Sequence, residues 1–321
     1  MSTVQSPARR PSIRRRLSSR SWRRTVAFYT FIAPWLIGLV LLTVLPLVLG
    51  FLTSLTNYDG LNLENIKFVG LRNYTRAFAD IDTRFSLGRT LMWSALNMPI
   101  WMILAFILAL LLNRDVKGQG VFRTLYYLPS VIPVVATVWV WKIFLDRNFG
   151  LLNAIISLFR PGTAIPWLST HALLGLTAIA VWSGLGWGMV VFLAGLQGIP
   201  DELVQAARID GANSWQVFRH VTIPLMTPVI FFVLVNGLIS SFQQLVLPLL
   251  LAPTGMNVPP PRSSYLYMIH TYRQIFVYQR FGYGTALLWL LFIVIMIVTL
   301  LVFRTERYWV YSEAAVGEEG R

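Results

Sequence analysis

The sequence predicts an all-α membrane protein in which six helices cross the bilayer. Of its 321 residues, 56% are hydrophobic and 12% are charged, a balance far too apolar for a soluble domain. Six apolar runs each approach the ~20 residues that a helix needs to cross the hydrocarbon core. One long polar stretch separates the fourth run from the fifth. These three observations predict a membrane bundle with one prominent loop.

The chain begins with a basic segment that we expect to be a disordered cytoplasmic tail, residues 1–24, rich in Arg, Ser and Pro. The apolar run at about 27–52 is far longer than the ~7–15 residues of a signal-peptide core, so it is predicted to remain as the first span. The net charge of +14 is concentrated beside this span. No folded basic module accompanies it, so it indicates membrane orientation and attraction to lipid headgroups, with no nucleic-acid binding.

The other spans follow from the same criterion of apolar length. The six spans are predicted at about 27–52, 87–112, 122–145, 171–196, 224–252 and 284–303. If the basic start lies inside, then so do the basic residues of 113–123, of the polar loop and of the exit from the last span, as the positive-inside rule requires. The loop with Arg262, Arg273 and Arg280 fits this rule poorly. We expect both termini, including the tail 306–321, in the cytoplasm.

Prolines and glycines interrupt the spans. Pro129 and Pro133 fall in the third span, and Gly184 and Gly188 in the fourth. A proline frees backbone carbonyls that a bundle must satisfy, and two small residues four positions apart allow another helix to approach closely. The sequence shows no clear internal repeat, which argues against a secondary carrier built from inverted repeats.

The polar stretch at 197–224 is predicted to form two short amphipathic helices. Pro200 suits the start of the first helix, Gly211 ends its pattern, and Asn213 or Ser214 can cap the second. Helices this short cannot bury their own apolar faces. They need either the membrane surface or the groove of another protein, and the residues alone leave both possibilities open.

The sequence contains no pattern for nucleotide, metal or nucleophile chemistry. The lysines are Lys67, Lys117 and Lys142, and none follows a glycine, so there is no G-x-x-x-x-G-K phosphate loop. The three histidines are isolated, without an HExxH pattern, and cysteine is absent. We therefore expect no catalytic residue, metal or cofactor on this chain.

Uncharged polar residues inside the spans are the candidates for a solute pathway. Adjacent glutamines at bilayer depth need partners, either from other helices or from a wet cavity, and both interpretations fit. A neutral, hydroxyl-rich solute would suit amides and hydroxyls beside flat aromatic faces. The span centres carry no acidic residue for a proton or sodium relay. The candidates are Asn97, Ser183, Asn236, Ser240, Ser241, Gln243 and Gln244, with Trp182, Trp187 and Phe242 as the aromatic faces.

Four motifs follow one another along the chain: Phe68-Val69-Gly70-Leu71-Arg72-Asn73-Tyr74, Phe122-Arg123-Thr124-Leu125-Tyr126-Tyr127-Leu128-Pro129, Phe149-Gly150-Leu151-Leu152-Asn153 and Ala194-Gly195-Leu196-Gln197-Gly198-Ile199-Pro200. In this order they resemble the carbohydrate-uptake branch of binding-protein-dependent ABC importer permeases. The polar loop resembles the cytoplasmic EAA loop of this family. The resemblance covers about residues 25–305. Of the two permease partners in such an importer, this chain is similar to the first maltose-type permease subunit.

The resemblance implies a type I importer permease bundle of six spans, residues 25–305, with a cytoplasmic coupling helix in the loop 198–223. It implies a non-catalytic subunit in the cytoplasmic membrane of a bacterium or archaeon, importing a sugar or sugar-like polyol. ATP and Mg would bind to partner ATP-binding subunits, a second permease would complete a heterodimer, and an extracytoplasmic solute-binding protein would deliver the solute. The alternative is a self-sufficient secondary carrier or channel for a small polar solute.

The resemblance also implies two sets of functional residues. Coupling to the nucleotide-binding subunit is expected at Glu202, Gln205, Ala206, Ala207, Asp210 and Gly211. The substrate pathway is expected at Ser183, Gly184, Trp187, Ser240, Ser241 and Gln244. Gln205 replaces the usual glutamate of the coupling motif and so lacks the charge for a salt bridge. A second departure is Pro253-Thr254-Gly255-Met256-Asn257, where the family has Thr-x-Gly-Gly-Pro.

Overall fold

The computed structural model describes residues 19–62, 64–114, 117–252 and 261–311. The predicted basic tail up to residue 18, the departure at 253–257 and most of the second tail, 312–321, therefore lie outside the described residues. The chain divides into two compact units, Met1–Leu52 and Thr53–Arg321.

The first unit contains one apolar helix that continues to the end of the first span. Helix α1 (Ser19–Leu39) leads through a π-helical stretch, Val40–Val44, into α2 (Leu45–Ser54). The backbone N–H of Leu45 reaches the carbonyl of Val40, five residues back, directly before Pro46. This wider turn accommodates a residue that has no N–H and whose ring crowds a regular turn. The apolar helix Arg24–Ser54 has 31 residues and confirms the first predicted span.

The second unit is a helical bundle. Its helices are α3 (Arg72–Ala79), α4 (Ile81–Leu112), α5 (Gln119–Val131), α6 (Val134–Phe144), α7 (Leu151–Phe159), α8 (Ala172–Gln197), α9 (Asp201–Ile209), α10 (Ser214–Val217), α11 (Ile223–Phe242), α12 (Val246–Leu251), α13 (Tyr267–Tyr272) and α14 (Phe281–Trp309). Two π-helical stretches, Phe218–Thr222 and Arg273–Val277, follow α10 and α13, and a short 3₁₀ turn, Arg262–Ser264, precedes α13. An isolated β-bridge joins Thr56 to Phe68.

Five helices of the described chain, 26 to 32 residues each, are long and apolar enough to cross a membrane. The sixth predicted span consists of two helices, α5 and α6, that meet at an angle of 97°. Pro133 explains the break, because proline disfavours the helical conformation at the residue before it. Ile132 accordingly has extended backbone angles, φ −68° and ψ 129°. Pro129, by contrast, lies inside α5.

The fifth span differs from its predicted position at 224–252. One continuous helix runs from Ser214 to Phe242, so the second amphipathic helix of the polar loop is the first part of this span rather than a separate element. The span ends ten residues early, and Gln243 and Gln244 lie in the break before α12. A π-helical turn just before Pro224 lets the helix continue past that residue.

The contact between α4 and α8 forms the centre of the bundle. A Cβ atom at Gly184 would lie 2.9 Å from Nε1 of Trp101, and one at Gly188 would lie 2.9 Å from Cβ of Ala105. Only glycine allows the backbone of α8 to come this close to α4. The close approach predicted from the spacing of these two glycines is confirmed.

The second unit has two distinct ends. The loop end carries residues 113–114, 117–118, 198–213 and 310–311, and there the backbone N–H of Tyr311 donates to Oγ1 of Thr227 at 2.8 Å. The far end carries 55–62, 64–80, 145–171 and 261–280, where Ser263 donates its hydroxyl to the carbonyl of Ser169.

A candidate solute cavity and a coupling loop

A cavity of about 480 Å³ lies among α4, α5, α6, α8 and α11. Its volume falls in the range of roughly 300–1,000 Å³ that is typical of ligand pockets. All six residues expected along the substrate pathway line it: Ser183, Gly184, Trp187, Ser240, Ser241 and Gln244. The fold thus brings together residues from two spans that are about 60 positions apart in the sequence.

The bend between α5 and α6 supplies a wall of the cavity that the sequence did not predict. Pro129, Ser130, Ile132 and Val134 line the cavity at this bend. The paired prolines were a signal of irregular backbone, but their position relative to the fourth and fifth spans required the tertiary structure. Non-helical backbone at membrane depth is tolerated where it lines a cavity, and this bend satisfies that condition.

The polar residues of the cavity wall differ in the hydrogen bonds that their side chains make. Ser241 is 5% exposed, and its Oγ contacts Oγ of Ser94 at 2.8 Å, so it links α11 to α4 as the helix-contact interpretation expects. Ser183 donates to the carbonyl of Ile179 in its own helix, at 2.8 Å. The side chain of Gln244 has no hydrogen-bond partner within the described ranges. The hydroxyl of Ser240 also has no partner there, so Ser240 and Gln244 are both available to a solute.

Four buried polar atoms around the cavity lack a hydrogen-bond partner among the described residues. They are Nε1 of Trp93, Oδ1 of Asn97, Nε1 of Trp101 and Oγ1 of Thr137, and all four residues line the cavity. Leaving such a group unpaired costs about 1–3 kcal/mol. The set contains two donors, one acceptor and one hydroxyl that can do both, which is the mixture that a polyhydroxylated molecule can satisfy. Of these four, only Asn97 was predicted.

The described lining of the cavity includes aromatic side chains and is uncharged. Trp101 and Trp187 stack with ring centroids 5.9 Å apart and planes 15° apart. The other two predicted aromatic residues do not line the cavity. Trp182 packs edge-on against Trp141, and Phe242 is 2% exposed. Within the described part of the chain, no charged side chain lines the cavity. The cavity suits a neutral solute.

The loop between α8 and α11 contains the predicted coupling helix, α9 (Asp201–Ile209). Acidic residues occupy its first turn and Arg208 occupies its last turn. Both placements stabilise the helix, because each charge lies at the helix end of opposite partial charge. Gly211 follows with a φ of +87°, a conformation that favours glycine. Asn213 then caps α10 in a reciprocal pair with Gln216, whose backbone N–H lies 2.9 Å from Oδ1 of Asn213. The predicted helix start, break and cap are confirmed.

The residues expected to couple lie together on this exposed loop. Ala207 is half-buried and the others are exposed: Glu202, Gln205, Ala206, Asp210 and Gly211. Apolar side chains are exposed beside them, among them Ile209 at 86% and Trp215 at 64%. No described part of the chain covers this apolar surface.

A buried histidine network at the far end was not apparent from sequence spacing. Oγ1 of Thr83 donates to Oδ2 of Asp80 at 3.2 Å, so it accepts from Nε2 of His270, 3.0 Å away. Nδ1 of His270 is then left to accept from the hydroxyl of Tyr265, also at 3.0 Å. His270 is neutral in this arrangement. The prediction that it is isolated is wrong, because the fold brings Asp80 to 3.6 Å from its ring.

The pKa values of this network support the same arrangement. Burial lowers the pKa of His270, and the nearby Asp80 and Asp82 only partly oppose this effect. Burial raises the pKa of Tyr265 to about 12, so its hydroxyl keeps its proton. Burial also works to raise the pKa of Asp80, but its hydrogen bonds outweigh burial and hold that pKa below the ordinary value. No metal-binding group of three or more His, Cys, Asp or Glu residues occurs in the described ranges.

Comparison with known proteins agrees with this architecture. Residues 101–308 match the family model described as binding-protein-dependent transport system inner membrane component. A probable ABC transporter permease protein of Bacillus subtilis, YesP, is 35% identical over 301 residues, covering 92% of this chain and 96% of that protein. The trehalose/maltose transport system permease protein MalF of Thermococcus litoralis is 28% identical, over 91% of this chain and 97% of its own.

A solved structure shows the same fold. A chain of a bacterial ABC transporter involved in the import of the acidic polysaccharide alginate superimposes with a TM-score of 0.76 at 21% identity, covering 90% of this chain and 98% of its own. A second structure shows that type of transporter with an alginate pentasaccharide-bound periplasmic protein, again with a TM-score of 0.76. The family match and the relatives together show that this chain belongs to the inner-membrane permease subunits of binding-protein-dependent ABC importers.

Proposed function

We propose that this chain forms the pathway by which an ATP-driven importer takes up a sugar or sugar-like polyol. The observation that carries this proposal is the uncharged cavity with unpaired donors and acceptors beside stacked tryptophans. The hydroxyl groups of a saccharide can pair with these donors and acceptors, and the apolar faces of its rings can pack on the tryptophans. Relatives named for trehalose and maltose and for starch degradation products support this solute class.

Coupling to ATP hydrolysis would pass through α9. In this scheme the exposed face of α9 docks on an ATP-binding partner subunit, which holds the ATP and Mg, while this chain performs no catalysis. The helix after Gly211 and Asn213 is continuous from Ser214 to Phe242, and its far part places Ser240 and Ser241 in the cavity wall. A displacement of the loop is therefore transmitted along one continuous helix to the solute site. ATP binding would shift the bundle between two states with different access.

The transporter would need two further proteins, a second permease subunit and a solute-binding protein. The described part of the first unit is a single apolar helix, which has no core of its own. We infer that a second permease subunit completes the transmembrane assembly, and that a solute-binding protein supplies solute at the far end. Because ATP is inside the cell, docking of α9 on an ATP-binding subunit requires a cytoplasmic loop end, and with six spans both termini would then lie in the cytoplasm.

A matched pair of glutamine variants tests the solute site. Gln244 lines the cavity, whereas its neighbour Gln243 is exposed and does not. We expect Gln244→Leu to lower the uptake of the transported sugar up to about tenfold, the value of one or two hydrogen bonds. Gln243→Leu should leave uptake near the wild-type rate. The measurement is initial uptake by cells carrying the whole transporter, with a panel of radiolabelled sugars, polyols and amino acids.

Assembly of each variant is checked by the amount of complex recovered. Equal uptake by Gln244→Leu and wild type would contradict the placement of the pathway in this cavity. Transport of amino acids but no sugar or polyol would contradict the solute class. Loss of the complex in Gln244→Leu would instead assign this glutamine to helix packing.

A further inference from the structure

We propose that the far end binds the headgroup of an anionic phospholipid, in a basic hollow between α3 and the start of α14. The basic hollow is the cavity of about 630 Å³ that includes Arg72 and Arg76 of α3 and Arg280 in its lining. It is separate from the solute cavity and shares no lining residue with it.

The three arginines of the basic hollow retain their charge for an external anion. Among the described residues, none of them lies within 4.0 Å of a carboxylate oxygen. Arg76 stacks over the ring of Tyr283 at 4.8 Å, and Arg280 over that of Tyr278 at 5.6 Å. These aromatic rings orient the guanidinium groups without neutralising them.

The lining of the basic hollow also contains one carboxylate, Asp59, which is occupied by its own turn. It accepts hydrogen bonds from the backbone N–H groups of Leu61 and Asn62, both at 3.0 Å. The hollow therefore keeps a net positive lining of three arginines against one aspartate. A phosphodiester accepts the paired N–H donors of arginine well, and the amides of Asn57 and Gln279 suit the hydroxyls of a glycerol headgroup.

The starts of two neighbouring spans place the basic hollow at headgroup depth. Helix α3 ends at Ala79, shortly before the span Ile81–Leu112, and Arg280 directly precedes the span Phe281–Trp309. The basic hollow therefore lies where the hydrocarbon core gives way to headgroups. Aromatic residues cluster beside it, with the rings of Phe276 and Phe281 6.1 Å apart, as is typical of a membrane interface.

Exposed apolar side chains favour a lipid over a soluble acidic partner. Phe68, Leu71 and Phe78 flank the two arginines of α3 and are 77%, 66% and 66% exposed. A short helix with exposed apolar and basic residues suits the boundary between acyl chains and phosphates. A soluble protein with an acidic patch would satisfy the arginines but not these three side chains.

Two triple variants with the same loss of charge test this site. Arg72, Arg76 and Arg280 are changed to Gln in one, and Arg84, Arg147 and Arg160 in the control. The control arginines are exposed, belong to the same end of the chain and lie outside the basic hollow. The full-length chain is purified and titrated with phosphatidylglycerol or phosphatidylcholine, and bound lipid is counted by native mass spectrometry.

We expect the wild type and the control variant to prefer phosphatidylglycerol by roughly tenfold or more, because arginines near the membrane surface attract anionic headgroups. The hollow variant should lose this preference. If the hollow variant does not fold, Arg280→Gln alone carries the test, with a smaller, several-fold loss. Unchanged lipid preference in a folded hollow variant would overturn the proposal, as would equal losses in both triple variants.

Two further outcomes distinguish other ligands. If glycerol phosphate or inorganic phosphate displaces the lipid at equal concentration, the site recognises a small anion and the lipid assignment fails. If the hollow variant keeps its lipid preference but no longer captures the solute-binding protein, the arginines form a protein-docking surface and the proposal fails. Neither result bears on the solute cavity, so this test is independent of the proposed uptake function.

Discussion

Single residues at the loop end carry the proposed link between ATP hydrolysis and solute movement. Gln205 is exposed on α9, so its missing charge affects a partner contact rather than the folding of this chain. Gly211 has a left-handed backbone, and a Cβ atom added there would contact nothing within 4 Å. The chain itself therefore leaves open space at the residue where the loop reverses direction.

Gly211→Trp is expected to uncouple ATP hydrolysis from uptake, because the added ring would occupy the space of the docked ATP-binding subunit. Gly118→Trp is the matched control, since Gly118 also has a left-handed φ, of +80°, and open space around it. Both changes carry the same backbone strain of about 1–2 kcal/mol. The measurement is ATPase rate and uptake in the assembled transporter. Equal behaviour of the two variants would contradict a docking role for Gly211.

Acid is expected to loosen α13 at the far end through His270. Its pKa in the folded chain lies below the ordinary 6.5, so the unfolded segment takes up a proton at a higher pH than the folded one. Local stability is therefore full above about pH 6.5 and falls as the pH drops through that value. The loss at pH 5.5 is at most about 1.4 kcal/mol. Asp80, Asp82 and Arg273 face this histidine and set the size of the effect.

Hydrogen exchange of residues 267–272, corrected for intrinsic rates, measures this local opening at pH 7.5 and 5.5. His270→Gln removes the titrating group, so its opening free energy should be nearly equal at the two pH values. A wild-type segment that is equally stable at both would contradict the assignment of a neutral, buried histidine.

At the scale of elements, apolar length and small-residue spacing predicted the positions of most spans and the close approach of α8 to α4. They did not predict the 97° bend between α5 and α6, although Pro133 lies there. A proline restricts the residue before it but does not decide whether a helix kinks or ends. The start of α4 at Ile81 was also missed, because polar Thr83 and Ser86 are buried there by partners distant in sequence.

The packing of α8 on α4 predicts a large effect of side-chain size. Gly188→Leu would place a Cβ atom 2.9 Å from Ala105 and Trp101, so the helices must separate. We expect a loss of about 1–3 kcal/mol in stability. Gly88→Leu, in α4 with open space around it, should not lower stability. Thermal denaturation of the two purified variants makes the comparison, and similar midpoints would contradict the close contact.

At the scale of the whole molecule, the chain holds a candidate solute cavity and an exposed loop, and its sequence has no phosphate-loop pattern for ATP. The sequence resemblance placed Ser183 on the fourth span and Gln244 on the fifth, and both line the cavity. It could not identify Trp93 and Thr137, whose place in the lining depends on how helices α4 and α6 meet the others. The roles proposed for Glu202 and its neighbours on α9 would involve a second protein, and the sequence of this chain alone does not contain that contact.

We propose that this chain moves solute only within an ATP-driven assembly. The most direct test of this proposal is uptake of radiolabelled mono- and disaccharides into proteoliposomes, with and without ATP, by the isolated chain and by the complex purified from native membranes through this chain. We predict uptake by the complex in the presence of ATP, and none by the isolated chain. Uptake by the isolated chain, without ATP or any partner, would contradict the claim and identify a self-sufficient carrier or channel.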